Sequence, residues 1–508
     1  MNARPNTAAV LAGYEGIQAD QEAIYKDLHQ HPELSHAEHR TAGLVAGKLQ
    51  EYGFSVQTGI GGTGVTGVLA NGSGPTVLLR AELDALPIRE DTGVDYASTA
   101  TAKAADGHEV PVDHACGHDM HMACLLGMAK LMAGHPGQWN GTLIPLFQPA
   151  EETGDGAQGM VDDGLLKRIP APDVALSQHL LPGIAGTVGT HSGPFMSAED
   201  GIEVTVYGRG AHGALPQYAI DPVVLAAMII VRLQTVVSRE VTPGEIAILT
   251  VGSVQAGTRG NVIPDHAVLQ LNMRSYSQPT RQRMLAAIQR IVRAECQASG
   301  SPKDPDFKTV ASFPFLDNNP ATTDRVAAAF AAHFGDNALE LPRQTVSEDF
   351  GIIPDAAGIP YTYWGIGRTD RHAYLTAEKA GRLQDLPTNH SPKFLPPLHP
   401  TLRTGTETLV TAALAWLAKL RRTDLAPADL SLHAAARDER RALRATRRDF
   451  LPRARELCLP AGNNLARGSL LGRPVNVHAR RGDVGHLGAG LVPGRWLHPI
   501  PSEDVSRR

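Results

Sequence analysis

The chain has 508 residues, 42% hydrophobic and 19% charged, which excludes wholesale disorder and leaves room for about three units of ~150 residues. A formal net charge of −5 gives no reason to expect nucleic acid as a partner. The charge is uneven: fifteen Arg, no Lys and nine acidic residues give the last 86 residues +6, against −11 for the preceding 422.

The first residues, MNARPNTAAVLAGYEGIQADQEAIYKDL, carry no uninterrupted apolar region of the signal-peptide kind, and no later run reaches about 18 apolar residues. A cytoplasmic protein without a membrane partner is the expectation. Four cysteines, Cys116, Cys124, Cys296 and Cys458, form no disulfide framework in so long a chain.

Apolar residues at helical spacing (Ile24, Leu28; Leu44, Val45, Leu49) predict two helices over 19–52, broken at HPEL. Two β-like runs follow, GVTGVLANG and TVLLRAELDALPI, the second carrying Glu82 and Asp84 at its carboxyl end. In open α/β sheets that end of a strand is where sites are built. Next comes HACGHDMH, at the start of an apolar helix. Cys116, His118 and His121 crowd soft and borderline donors into six residues, a combination that suits zinc, nickel, cobalt or manganese better than calcium or magnesium. A buried Cys with helix-capping His residues is the bland alternative for this motif alone.

The strand predicted at 143–147 leads to the paired acids Glu151 and Glu152, and DVALSQHL reads as a strand ending in His179. Four such coincidences at strand ends and one strand-to-helix junction favour a common site. From 200 the pattern changes to a strand (Ile202, Val204, Val206), the loop GRGAHGALPQ, a helix over 221–240, two strands, a helix over 279–298 and a last strand near 307–310. That β, α, β, β, α, β order predicts a ferredoxin-like α+β insert. A helix over 323–334, SEDFG, a strand at 361–364, the loop TNHSPKF with His390 and a helix over 407–421 resume the α/β pattern. The expected organisation is a catalytic domain in two parts, 1–197 and 311–422, an inserted lid or dimerisation domain at 198–310, and a basic, disordered tail at 423–508. The fold class is α/β with a mixed sheet flanked by helices.

RAELDALPI, HACGHDMH, FQPAEETGDGAQGM, QHLLPGIAGTVG, GRGAHGALPQYAIDPV, GNVIPD, SEDF and NHSPKF, in this order over 29–421, resemble the M20 metallopeptidase family. More narrowly they resemble its amidohydrolase branch, with its hippurate hydrolases, N-acyl-amino-acid amidohydrolases and auxin-conjugate hydrolases. The resemblance implies Cys116, His118, Glu152, His179 and His390 as ligands of two divalent metal ions (Zn, Mn, Ni or Co), Glu151 as general base, and His212 contributing across a homodimer interface. It further implies Asn261 and Arg274 as the pair holding a substrate carboxylate, and Asp84 as the aspartate that orients a ligand. Glu82 stands where the family commonly has Asp, and it receives no role.

The implied chemistry is physically coherent. Five ligands exceed the three of one open catalytic zinc site and fit two metals sharing a bridging ligand, taken as Cys116. Such a site depresses the pKa of water and polarises an amide carbonyl, Glu151 moves the proton, and His212 donates to the oxyanion. The expected reaction is hydrolysis of N-acyl amino acids. A dipeptidase or aminopeptidase of the same family and a catalytically silent small-molecule binder are the alternatives.

Overall fold

The computed structural model describes residues 7–104 and 106–419, which belong to one compact unit, Met1–Leu432. The predicted tail lies outside the described residues.

Two helices, α1 (Gln18–Gln30) and α2 (His39–Glu51), precede the strands β1 (Ser55–Ile60), β2 (Gly64–Asn71) and β3 (Thr76–Glu82). Helix α3 (His118–Gly134), β4 (Gly141–Gln148), β5 (Val174–Ile184) and β6 (Val188–Thr190) follow. The main sheet is completed by two late strands, β11 (Ala338–Glu340) and β12 (Tyr361–Thr369), in the order β1-β2-β4-β3-β5-β12-β6-β11. Its centre, β4-β3-β5-β12, is parallel. A parallel centre aligns the carboxyl ends of several strands along one rim.

Alternation along β3 shows how the sheet sorts its side chains. Val77, Leu79 and Ala81 enter the core beneath α1, α2, α3 and the closing helix α6 (Leu398–Leu417), while Leu78 enters the core on the opposite face. Arg80 and Glu82 share the parity of Leu78, and both are buried. Helix α3 is apolar nearly all round because it is covered on every side.

A second sheet is built from β7 (Ala198–Tyr207), β8 (Ala247–Gln255), β9 (His266–Ser275) and β10 (Asp306–Phe313), antiparallel in the order β8-β9-β7-β10. With α4 (Pro222–Thr235) and α5 (Gln278–Ala298) it has the ferredoxin-like order and its own core of Val204, Leu225, Ile229, Leu233, Leu269 and Ile288. Asp221 caps α4 by accepting from Val223 N at 2.8 Å, and Pro222 occupies its first position.

Three expectations need correction. The strand that was to close at His179 runs on to Ile184, because β12 continues to pair beside it. The closing helix begins at Leu398 rather than at 407; Gly405 sits inside it because a Cβ there would come within 2.6 Å of Cys124 Sγ on α3. A glycine that reads locally as a breaker is a close-packing residue here. The third concerns membrane spans: residues 222–240 are long and apolar enough to cross a bilayer, yet the helix packs Leu225, Ala226, Ile229 and Leu233 into the small sheet's core.

Truncating a wholly buried side chain on α3 removes contacts with both neighbouring layers. Leu126→Ala should therefore destabilise the protein by about 2–5 kcal/mol, read as a lower midpoint in reversible denaturant unfolding.

Candidate active site

The rim formed by the carboxyl ends of β3, β4 and β5 collects the predicted ligand-type side chains. Cys116 precedes α3 and His118 begins it; between them Gly117 has φ +86°, where a Cβ would meet Leu180 Cδ1 at 2.4 Å. Only glycine allows the turn that aims both side chains the same way. Three described residues hold left-handed backbone without being glycine: His36 (φ +67°), Ala150 (φ +52°), just before Glu151, and His390 (φ +66°). Strain of this kind persists where the surroundings over-determine it.

One donor atom each from Cys116, His118 and His179 lies within 4.8 Å of the other two, and the same holds for Cys116, Glu152 and His390, and for His118, Glu151 and Glu152. Cys116 Sγ is 3.5 Å from His179 Nε2, and His390 Nε2 is 3.4 Å from Glu152 Oε2. His118 Nε2 lies 3.8 Å from Glu151 Oε2 and 3.9 Å from Glu152 Oε1. All are buried or nearly so except His390, whose side chain is 52% exposed.

Hydrogen bonds behind the cluster decide which atoms face it. His118 Nδ1 donates to the Asp84 carbonyl at 2.8 Å and His179 Nδ1 to the Leu180 carbonyl at 2.8 Å, so both present Nε2. Asp84 Oδ2 accepts from Ser35 Oγ at 2.7 Å and from Glu152 N at 3.0 Å. Burial alone would raise the Asp84 carboxyl, but the hydrogen bond and charge of His118 hold it below the usual aspartate range. Among the described residues, buried His118 Nε2 and Glu152 Oε1 have no hydrogen-bond partner, and both atoms fit ligation of a cation. Burial first, then the charges of Glu348 and Glu152, pushes the Glu151 carboxyl well above its ordinary value. Burial, with nearby His121, holds His179 well below its own, as a neutral imidazole.

His121, third donor of the sequence motif, is otherwise engaged. Its Nδ1 lies 2.7 Å from Glu82 Oε2, and its Nε2 accepts from Leu180 N at 3.0 Å. Glu82, unassigned by sequence, thereby holds the imidazole that holds the backbone next to His179. It is bound in turn by Arg80. Arg80 also reaches Gln148 Oε1 at 2.9 Å, Glu348 Oε1 at 2.8 Å and Asp349 Oδ1 at 3.1 Å, which explains the SEDF motif. Asn389 donates to the carbonyls of Cys116 and Leu180 at 3.4 Å each. The signal for Glu82 was a charged residue inside an apolar strand run.

The remaining predicted residues lie elsewhere. His212 and Asn261 are neighbours on exposed backbone: His212 pairs with Val262 across a short ladder, and Gly213 N donates to the Asn261 carbonyl at 2.8 Å. Arg274, on β9, is held by Glu199 at 2.8 Å, the Thr345 carbonyl at 2.9 Å and Ser347 Oγ at 3.0 Å.

A thiol, imidazoles and carboxylates gathered at the carboxyl rim of a parallel sheet form the donor set of a metal-dependent hydrolase. The chain belongs to peptidase family M20/M25/M40, whose model matches residues 78–389. It is 36% identical over 351 residues to a hippurate hydrolase from Campylobacter jejuni, covering 68% of this chain and 88% of that one. It is 42% identical over 277 residues to an N-acetyl-L-cysteine deacetylase from Bacillus subtilis, covering 53% of this chain and 64%, just under two thirds, of that relative. Among solved structures, an aminohydrolase from methicillin-resistant Staphylococcus aureus superposes with a TM-score of 0.69 at 28% identity, over 80% of this chain and 99% of that one. A Bacillus subtilis protein described as a dinuclear metal binding peptidase of the M20 family gives 0.63 at 26%, over 79% and 98%.

Glu82→Gln should weaken affinity for added Zn²⁺ by about 10- to 100-fold, because the imidazole fixing the rim loses its charged partner. Chelator competition measures this, and a loss of about 3–5 kcal/mol in unfolding free energy should accompany it.

Proposed function

We propose that this protein hydrolyses the amide bond of N-acyl amino acids, with two divalent metal ions of the Zn, Mn, Ni or Co class at the Cys116 cluster. The observation that carries the reading is the double membership of Cys116, which shares one donor triad with His118 and His179 and another with Glu152 and His390. Cys116, His118, Glu152, His179 and His390 would hold the two cations, and the buried His118 Nε2 and Glu152 Oε1, without a hydrogen-bond partner among the described residues, fit that role. The hippurate hydrolase and deacetylase relatives support acyl-capped amino acids as the substrate class. In this reading the protein is cytoplasmic, where a reducing medium keeps Cys116 a thiol.

When bound, the two cations supply Lewis acidity and lower the pKa of water towards neutrality. Glu151 takes the proton of the attacking water and returns it to the leaving nitrogen. Burial and the neighbouring carboxylates raise its proton affinity, which suits the return of the proton to the leaving nitrogen. Asp84 keeps His118 oriented. His212 donates to the tetrahedral oxyanion, and Asn261 with Arg274 receives the substrate carboxylate. Arg274 then exchanges Glu199 and Thr345 for substrate when 198–310 acts as a lid over the catalytic residues of 1–197 and 311–422.

A homodimer belongs to the same proposal. Val224, Met228 and Val231 of α4, spaced three and four apart, are 58%, 52% and 68% exposed, and Ile248 and Val254 lie exposed on β8, an edge strand. An apolar helix face beside an open sheet edge suits burial against a second copy of itself. His212, exposed on this chain, then serves the partner's centre.

Glu151→Gln should retain both metals and lose about 10²- to 10⁴-fold in kcat on hippurate and other N-acyl amino acids. Undiminished turnover sinks the assignment, and faster cleavage of free dipeptides than of acyl amino acids replaces it with a dipeptidase. Met228→Asp should convert a dimer into a monomer in sedimentation velocity, with activity falling alongside; a wild type already monomeric at working concentration contradicts the shared site.

A further inference from the structure

Behind the candidate active site lies a second group of ligand-type side chains that the proposed reaction leaves unused. His29, near the end of α1, has Nδ1 2.7 Å from Asp119 Oδ2 and Nε2 3.2 Å from Glu90 Oε1. One donor atom each from His29, Glu90 and Asp113 lies within 4.8 Å of the other two. The rings of Tyr25 and Tyr96 wall the group, with centroids 5.6 and 5.4 Å from that of His29.

Asp113 is the informative member. It is fully buried, and neither of its carboxylate oxygens has a well-formed hydrogen bond among the described residues. Its backbone is pinned, since Asp113 and Leu86 exchange N–H···O bonds of 3.0 Å in both directions. The side chain is thus held in the interior, aimed into the cluster, with the backbone N–H of the next residue, His114, as a weak donor. Such an arrangement is costly unless a cation, a proton or a water completes it.

We propose that His29, Glu90 and Asp113 bind a further divalent cation of the zinc or manganese class, separate from those at Cys116. One imidazole and two carboxylates form a donor set for these metals. Asp119 supplies the outer hydrogen bond: it accepts from Nδ1–H, which leaves the Nε2 lone pair for the cation and fixes the ring. Glu90 is similarly oriented, accepting from the Thr92 hydroxyl and from Ser98 N. Three carboxylates, those of Glu90, Asp113 and Asp119, surround a single imidazole, and a dication balances them better than a proton on His29. The ion ties together α1, the segment after β3 and the three residues leading into Cys116. It braces the chain that delivers Cys116 and His118, and its role is structural.

The test uses the full chain with Cys116→Ser and Glu152→Gln combined, so that metals at the active site do not mask this one. After chelation, reloading with zinc and desalting, the double variant should retain one zinc per chain. Its X-ray absorption should report nitrogen and oxygen neighbours at about 2.0–2.2 Å and no sulfur. Adding Asp113→Asn should remove that zinc. In the otherwise wild-type chain, Asp113→Asn should lower the zinc count from three to two, which keeps the proposal testable if the triple variant does not fold. A folded double variant that holds no zinc, or an Asp113→Asn protein that holds as much as its parent, overturns the site and leaves a water or a carboxyl proton at Asp113. If the wild type and the double variant both hold a single zinc that Asp113→Asn removes, this site stands while the two-metal reading of Cys116 falls.

Discussion

The guanidinium of Arg80 lies wholly inside the protein among the carboxylates of Glu82, Glu348 and Asp349, and the active-site rim depends on that contact. Burying one cation and three acids is expensive, and removing any one partner would leave the others uncompensated. Gln148 extends the network by donating to Asp349 Oδ1 at 2.7 Å, and Tyr363 by donating to Glu348 at 2.5 Å. Burial and neighbouring Glu348 push the Asp349 carboxyl up to about 8 even beside Arg80. Strands β3, β4 and β12 and the SEDF loop are thereby locked at one depth in the sheet.

From that lock the order passes outward. Glu82 fixes His121, His121 fixes the Leu180 backbone, and His179 is held one residue away. On the other side, Asp84 receives Glu152 N and Ser35 while its carbonyl sets the tautomer of His118. The donor atoms facing the cluster are the ones left over once the supporting bonds are made. This pre-organisation is what lets a cation bind without reordering its ligands. The proposed ion at His29, Glu90 and Asp113 would extend the same support beneath the first turn of α3.

The small sheet contributes a different kind of constraint. It has its own core, and its polar contacts with the rest of the chain include Ser197 Oγ, Arg274 and the Tyr276 hydroxyl, all bonded to backbone carbonyls of Gln344 or Thr345. Polar contacts of this sort are exchangeable, whereas the buried charges around Arg80 are not. Exchangeable bonds of this kind are what the proposed closure of the small sheet over a substrate would require.

Sequence determined the chemistry of the cluster and most of the elements. Donor types at short spacing, strand ends and amphipathic periods are local properties, so Cys116, His118, Glu151, Glu152, His179 and His390 were legible, as was the order of the ferredoxin-like insert. The exposed helix Arg371–Lys379 escaped because it is short, nine residues, and buries none of them. Tertiary structure alone decided which donors stay free. His121 is chemically as good a ligand as His118, and it is withdrawn by Glu82, 39 residues away. Arg80 finds Glu348 across 268 residues, and His29 finds Asp119 across 90. Partnerships over such distances leave no local periodicity to read, since they are set by which faces of the sheet and helices come to pack together.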